Sequence, residues 1–257
     1  GSRAGSNENH GEAGEEDGLS GQVKIAGSST VYPISTAVAE EFARMHPDVE
    51  IPVQSTGTGG GFGNFFIPGK TDINNASRPI KDSEREEAIS NGVEPLELQV
   101  ATDAITFAAN PGADWLSDVT VEELGMIWGG ENTAQNWSDV RSDWPNEPVE
   151  LYGPTAASGA FDYFMEVMED YVDEEYTYRD DQQGTEQDNT IIQAVSGSEY
   201  AMGYFGLSYY LEAQGQIKAV AVEGVEPGLE TARSGQYTPF SRPLFIYVSK
   251  SSLERPE

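Results

Sequence analysis

From Gly21 onward the chain switches between short apolar runs and apolar positions spaced three or four apart. Residues 23–26 are an apolar run. Ile34, Val38, Phe42 and Met45 then recur at helical spacing as far as Pro47, whose ring disfavours the helical conformation of the residue before it. Residues 49–54 alternate as a strand does. The glycine-rich 55–63 reads as a loop opening a short helix, and 71–77 returns to a strand. Residues 81–92 read as a helix with Asp82 or Ser83 as N-cap and Asn91-Gly92 as its stop, followed by a buried-type strand at 104–109.

The second half repeats the alternation. Thr120 and Glu123 have the spacing of a capping box, which predicts a helix to about Trp128. A strand at 149–152 precedes a helix with Phe161, Phe164, Met165, Met168 and Val172 on one face, and another helix spans 188–195. Strands follow at 201–204, 217–222 and 243–248. Strands alternating with helices predict an α/β fold with a largely parallel sheet, whose ligands sit beyond the carboxyl ends of the strands.

Three stretches share one pattern, a strand, then Gly, Ser and Thr, then a helix. They are AGSSTVYP (26–33), STGTGGGFG (55–63) and TAASGAFDYF (155–164). Each offers hydroxyls and backbone N–H groups at a helix start, the donor set that suits an oxyanion. A single such turn mostly just caps its helix, and three on one chain carry more weight. In NNASRPI (74–80), Ser77 and Arg78 stand at a strand end, and guanidinium is shaped for bidentate contact with an oxyanion. The other reading of Arg78 is an ion pair with a structural carboxylate.

Composition narrows the choice of partner. The chain carries 44 Asp and Glu against 14 Lys and Arg, a formal charge of -30, which argues against nucleic acid and anionic membrane surfaces. The charge reads as a solvation device for a salt-rich medium, with a basic partner as the rival reading. There is no cysteine, so disulfides and thiolate metal sites are excluded. No apolar run reaches the ~18 residues that span a bilayer. Residues 1–21 are polar, acidic and aperiodic, which predicts a disordered acidic tether of a protein hung from a membrane surface, or a plain disordered terminus. Gly1-Ser2 resembles the scar of a removed tag.

GSSTVYPI, TGTGGGFGNF, NNASRPI, SGAFDYF, YAMGYFGLSYY and FSRPLFIYV occur in this order and resemble the phosphate-binding subunit of the phosphate ABC transporter (PstS-type) from about Val23 to the end. The resemblance implies a two-lobed α/β fold of the periplasmic-binding-protein type (type II), with mixed, mostly parallel sheets. By analogy with the family the chain crosses between lobes near residues 102–103 and 242–243. Lobe I is then 22–102 plus 243–257, and lobe II is 103–242. The family continues past such an end with further helices.

Carried over, the resemblance implies phosphate contacts from Ser29, Thr30 and Val31, from Thr58, Gly59 and Gly60, from Ser77 and Arg78, and from Ser158, Gly159 and Ala160 of the opposite lobe. It further implies a monomer without cofactor, held outside the cytoplasmic membrane, that passes phosphate to a membrane permease. The sequence departs from some members at three positions. Arg78 replaces an aspartate that accepts the proton of hydrogen phosphate, Pro154 replaces an arginine, and Ala160 a threonine. Asp103 is the candidate substitute acceptor, its other role being to pair with Arg78. Sulfate, molybdate or tungstate are the nearest alternative ligands.

A hydrolase is the less favoured class. The histidines are His10 and His46, one in the tether and one before proline, and no Gly-x-Ser-x-Gly elbow is present. An adhesive surface role for Tyr200, Tyr204, Phe205, Tyr209 and Tyr210 competes with their use as core, and EDYVDEE (169–175) reads as a solvated helix end rather than a cation cage.

Overall fold

The computed structural model describes residues 18–131 and 133–257. The expected tether thus lies outside the described residues up to residue 17, and at its other end Gly21 already belongs to a strand. The first elements are β1 (Gly21–Gln22), β2 (Ile25–Gly27), α1 (Tyr32–Met45), β3 (Val49–Glu50), β4 (Val53–Ser55), α2 (Thr58–Gly61) and β5 (Ile73–Ala76). Next come α3 (Asp82–Ser90), β6 (Pro95–Ala109), β7 (Asp118–Val119), α4 (Val121–Trp128), β8 (Glu150–Gly153), α5 (Gly159–Tyr171), β9 (Gln183–Gly184) and α6 (Asp188–Gly197). The remainder are β10 (Ala201–Gly206), α7 (Leu207–Glu212), β11 (Lys218–Val222), α8 (Leu229–Arg233) and β12 (Ser241–Ser249).

The strands lie in the order β4-β2-β5-β12-β6-β10-β8-β9, with β11 also on β6 and β7 on β11. The flanks are parallel, β2 with β4 and β5, and β8 with β9 and β10. Between them β6 and β12 run antiparallel to each other and to their other neighbours. The parallel flanks follow from strand-helix-strand crossovers, and the centre from strands that return without a helix between them. Three core clusters result among the described residues, the third formed by Ile191, Val195, Phe205 and Ile217 around α6. Phe62, Phe66, Phe245 and Tyr247 pack on the side of β2 and β5. Phe107, Trp128, Phe164, Tyr204 and Phe240 pack on the side of β8 and β10. Tyr204 and Phe205 are fully buried, which puts that part of the aromatic cluster in the core.

Several expected elements take a different form. The strand expected at 49–54 is two strands, because Pro52 cannot donate to a ladder; its carbonyl instead accepts from Ile25 N at 3.0 Å. The glycine-rich stretch is helical from Thr58 and passes into a π-turn over Phe62–Phe66, which aims both phenyl rings into the core. β6 begins nine residues before the expected position, since residues 95–103 are half-exposed and lack a continuous apolar run. Helix α3 is capped at Lys81 rather than Asp82 or Ser83, because the Glu84 carboxylate reaches back to accept from Lys81 N at 2.9 Å. The capping box of α4 forms as expected: Glu123 N donates to Thr120 Oγ1 at 3.1 Å and Thr120 N to Glu123 Oε2 at 2.8 Å.

Candidate functional site

The turn after β2 is shaped by close packing. At Gly27, φ is +133°, and a Cβ there would approach Asn75 O of the neighbouring strand to 2.1 Å, so only glycine fits. Ser28 is buried, and its Oγ accepts from Thr30 N at 3.2 Å and Val31 N at 3.4 Å, which satisfies the free N–H groups entering α1. Asn75, wholly buried beneath this turn, accepts Ser28 N on its carbonyl at 2.9 Å and the Ser35 hydroxyl on its side chain at 2.8 Å. The turn is thereby held from behind, and the hydroxyls of Ser29 and Thr30 point away from it.

The second turn faces the first. Gly57, at φ +74°, leads into Thr58, the first residue of α2. Thr58 Oγ1 accepts from Ser77 N at 3.0 Å and shares a hydrogen bond of 3.0 Å with Ser77 Oγ. Beside them Arg78 is drawn away to Glu84, with Nη1 and Nη2 donating at 2.9 and 2.8 Å to its two carboxylate oxygens. Burial pushes the Glu84 carboxyl up, but the hydrogen bonds from Arg78 and Lys81 N outweigh it and leave it below the usual range. The structural-carboxylate reading of Arg78 is the contact seen, and a Cβ on Gly59 would stand 3.6 Å from its Nη2.

The opposite wall is the start of α5. Ser158 caps this helix, its Oγ accepting from Ala160 N at 3.2 Å. Gly159 abuts the first turn, where an added Cβ would lie 2.9 Å from Thr30 Oγ1. One turn further on, Asp162 accepts from Ser29 Oγ at 2.8 Å, which bridges the two sides. Arg242, on β12, reaches the same place: Nη2 donates to Thr30 Oγ1 at 3.2 Å and Nη1 to Glu166 Oε2 at 2.6 Å. Its guanidinium carbon lies 3.5 Å from the centroid of the Tyr163 ring. Asp103 does not pair with Arg78. It sits opposite Arg242 in the β6–β12 register, with its carboxylate 3.6 Å from Arg242 Nε. Burial pushes the Asp103 carboxyl up, against the pull of Arg242.

These residues enclose a cavity of about 260 Å³. Of the residues expected from sequence, Ser29, Thr30, Thr58 and Ser77 line it. Ser28, Gly57, Asp162 and Glu166 join them, and Arg242 stands behind Thr30. Val31 is buried in the turn, and Gly59, Gly60, Arg78, Ser158, Gly159 and Ala160 frame the cavity without lining it. Asp103 faces a different pocket, beside β6 and α7. Asp162 lies within SGAFDYF and Arg242 within FSRPLFIYV, and neither motif signals a cavity until distant segments are brought together. The arrangement offers hydroxyl donors on one wall and carboxylate acceptors on the other. That suits a small oxyanion carrying a proton.

The profile of the PBP superfamily domain matches residues 12–254, so fold and cleft define a two-lobed binding protein of that superfamily. Protein SphX of Synechocystis sp. is 42% identical over 238 residues, covering 90% of this chain and 70% of SphX. The phosphate-binding protein PstS of Staphylococcus saprophyticus is 36% identical over 239 residues, covering 91% of this chain and 72% of that protein. The crystal structure of a possible phosphate binding protein from Planctomyces limnophilus, 44% identical, superposes with a TM-score of 0.88 over 93% of this chain and 85% of that one. The chain belongs to the family of PstS and SphX proteins within the PBP superfamily.

Proposed function

We propose that this chain captures inorganic phosphate in the cavity between its lobes and delivers it, outside the cytoplasmic membrane, to the permease of an ABC importer. It acts as a monomer and does no chemistry on its ligand. The observation that carries this reading is the Ser29–Asp162 contact across the cavity, which sets a carboxylate against hydroxyls at three converging turns. The names of the relatives support it. The first wall belongs to lobe I (22–102 and 243–257) and the second to lobe II (103–242), so closing the lobes buries the ligand.

The departure at Arg78 is made good by Asp162. Hydrogen phosphate donates a hydrogen bond to that carboxylate through its proton. Sulfate carries the same double charge but no proton near neutral pH, so it sets a bare oxygen against the carboxylate with no hydrogen bond in return. Calorimetric titration with phosphate, alone and in excess sulfate, tests both statements. The native protein binds phosphate and keeps most of its affinity in sulfate. Asp162→Asn binds phosphate more weakly and loses the discrimination. A native protein that takes up molybdate or sulfate in preference, or gives no heat with phosphate, overturns the reading.

A further inference from the structure

The cleft has more carboxylates than free cations. Asp162 and Glu166 line it one helical turn apart on α5, and Arg78 is already held by both oxygens of Glu84. Among the described residues Arg242 is the cation that reaches a cavity hydroxyl. Its side chain is 11% exposed, seated on the Tyr163 ring and flanked by Asp103, so its position is fixed. Its partner Glu166 is not fixed in the same way. The Glu166 side chain is 54% exposed and holds the guanidinium by one 2.6 Å hydrogen bond.

We propose that Glu166 is a tethered competitor for the anion, holding the cavity side of Arg242 while the cleft is open to solvent and swinging into water when a doubly charged oxyanion replaces it. The proposal rests on the phosphate reading. Leaving costs Glu166 little, because a half-exposed carboxylate keeps most of its hydration and its pairing is weak. The exchange favours one class of ligand. A monoanion such as chloride replaces one negative charge by another and must compete with a group whose effective concentration is about millimolar or higher. A dianionic tetrahedral ligand brings a second charge and further acceptors for Ser29, Thr30 and Thr58. Glu166 therefore lowers phosphate affinity and in return keeps the arginine clear of abundant small anions.

Phosphate titration of the native protein, Glu166→Gln and Glu169→Gln tests this. Glutamine keeps the shape and removes the charge, and Glu169, exposed on the same helix, controls for net charge. In about 0.1 M KCl, Glu166→Gln binds phosphate roughly three- to fivefold more tightly than the native protein, the span expected for releasing a partly exposed ion pair. Glu169→Gln binds as the native protein does. Raising KCl to about 1 M costs Glu166→Gln more affinity than it costs the native protein. Equal or weaker binding by Glu166→Gln, or the same gain from Glu169→Gln, removes the competitor role and leaves the phosphate reading standing. No heat from any of the three proteins overturns both.

Discussion

Gly159 sits where the two walls of the cavity meet, and its missing side chain is what lets Thr30 approach. In Gly159→Ala a methyl group meets Thr30 Oγ1 at 2.9 Å. Overpacking of this kind costs about 1–3 kcal/mol. On the proposed lobe closure the clash arises as the lobes meet, so the cost should fall on binding, as a loss of roughly tenfold in phosphate affinity with little change in melting temperature. A melting temperature that falls as much as the affinity would place the cost in the fold instead. Calorimetry and a melting curve on the same sample separate the two. At this scale, sequence revealed the residues whose chemistry is local. Ser29, Thr30 and Thr58 stand in glycine-bearing strand-to-helix turns and Ser77 just past the end of β5, and their place follows from those local positions. Asp162, Glu166 and Arg242 reach the cavity only through packing between segments 76 to 212 residues apart. No short window of sequence holds that information.

Among the elements, those with a local signature were legible and those set by their neighbours were not. The Thr120–Glu123 box announced α4, whereas the first nine residues of β6 are strand because β12 pairs with them. The spacing along α1 marked the helix but not its packing. Ser35 and Ala39 are its buried residues, while Val38 and Met45 are 64% and 67% exposed. The α4 box also ties acid stability to one side chain. Hydrogen bonds from Arg141 and Thr120 N lower the Glu123 carboxyl below its ordinary value of 4.5, against a smaller upward push from burial. As pH falls past 4.5 the unfolded chain takes up this proton first, so the stabilisation is present above that value and is lost as pH drops through the lower folded value. Melting temperature therefore falls over this acid range, and Glu123→Gln, which starts lower at neutral pH, shows a shallower fall. Parallel curves for the two proteins would assign the acid loss to other carboxylates.

For the whole molecule the governing quantity is the formal charge of -30. Repulsion among so many carboxylates acts over about 30 Å in 0.01 M salt and over about 3 Å in 1 M. Melting temperature should rise by several degrees between those conditions, and by a similar amount in KCl and NaCl if screening is the cause; a flat profile would mean that the surface charges are already solvated independently. Contact hydrogen bonds in the cleft are screened far less, so the same salt change, by screening the repulsion between the acidic surface and an anionic ligand, speeds phosphate association more than it alters release. The composition made this part of the behaviour legible without any structure.

The pairing of Asp103 with Arg242 across β6 and β12 has one more consequence. The chain leaves and re-enters at adjacent points, so everything between those two residues is a cassette spliced into the rest at a single seam. Exchanging that cassette between relatives needs two joins lying side by side, and the joins fall on strand residues whose partners are each other. One exchange would carry Asp162, Glu166 and their neighbours together while leaving the hydroxyl turns of the other half untouched. On the proposed reading of the cavity, its carboxylate wall can thus be inherited, or engineered, as a block.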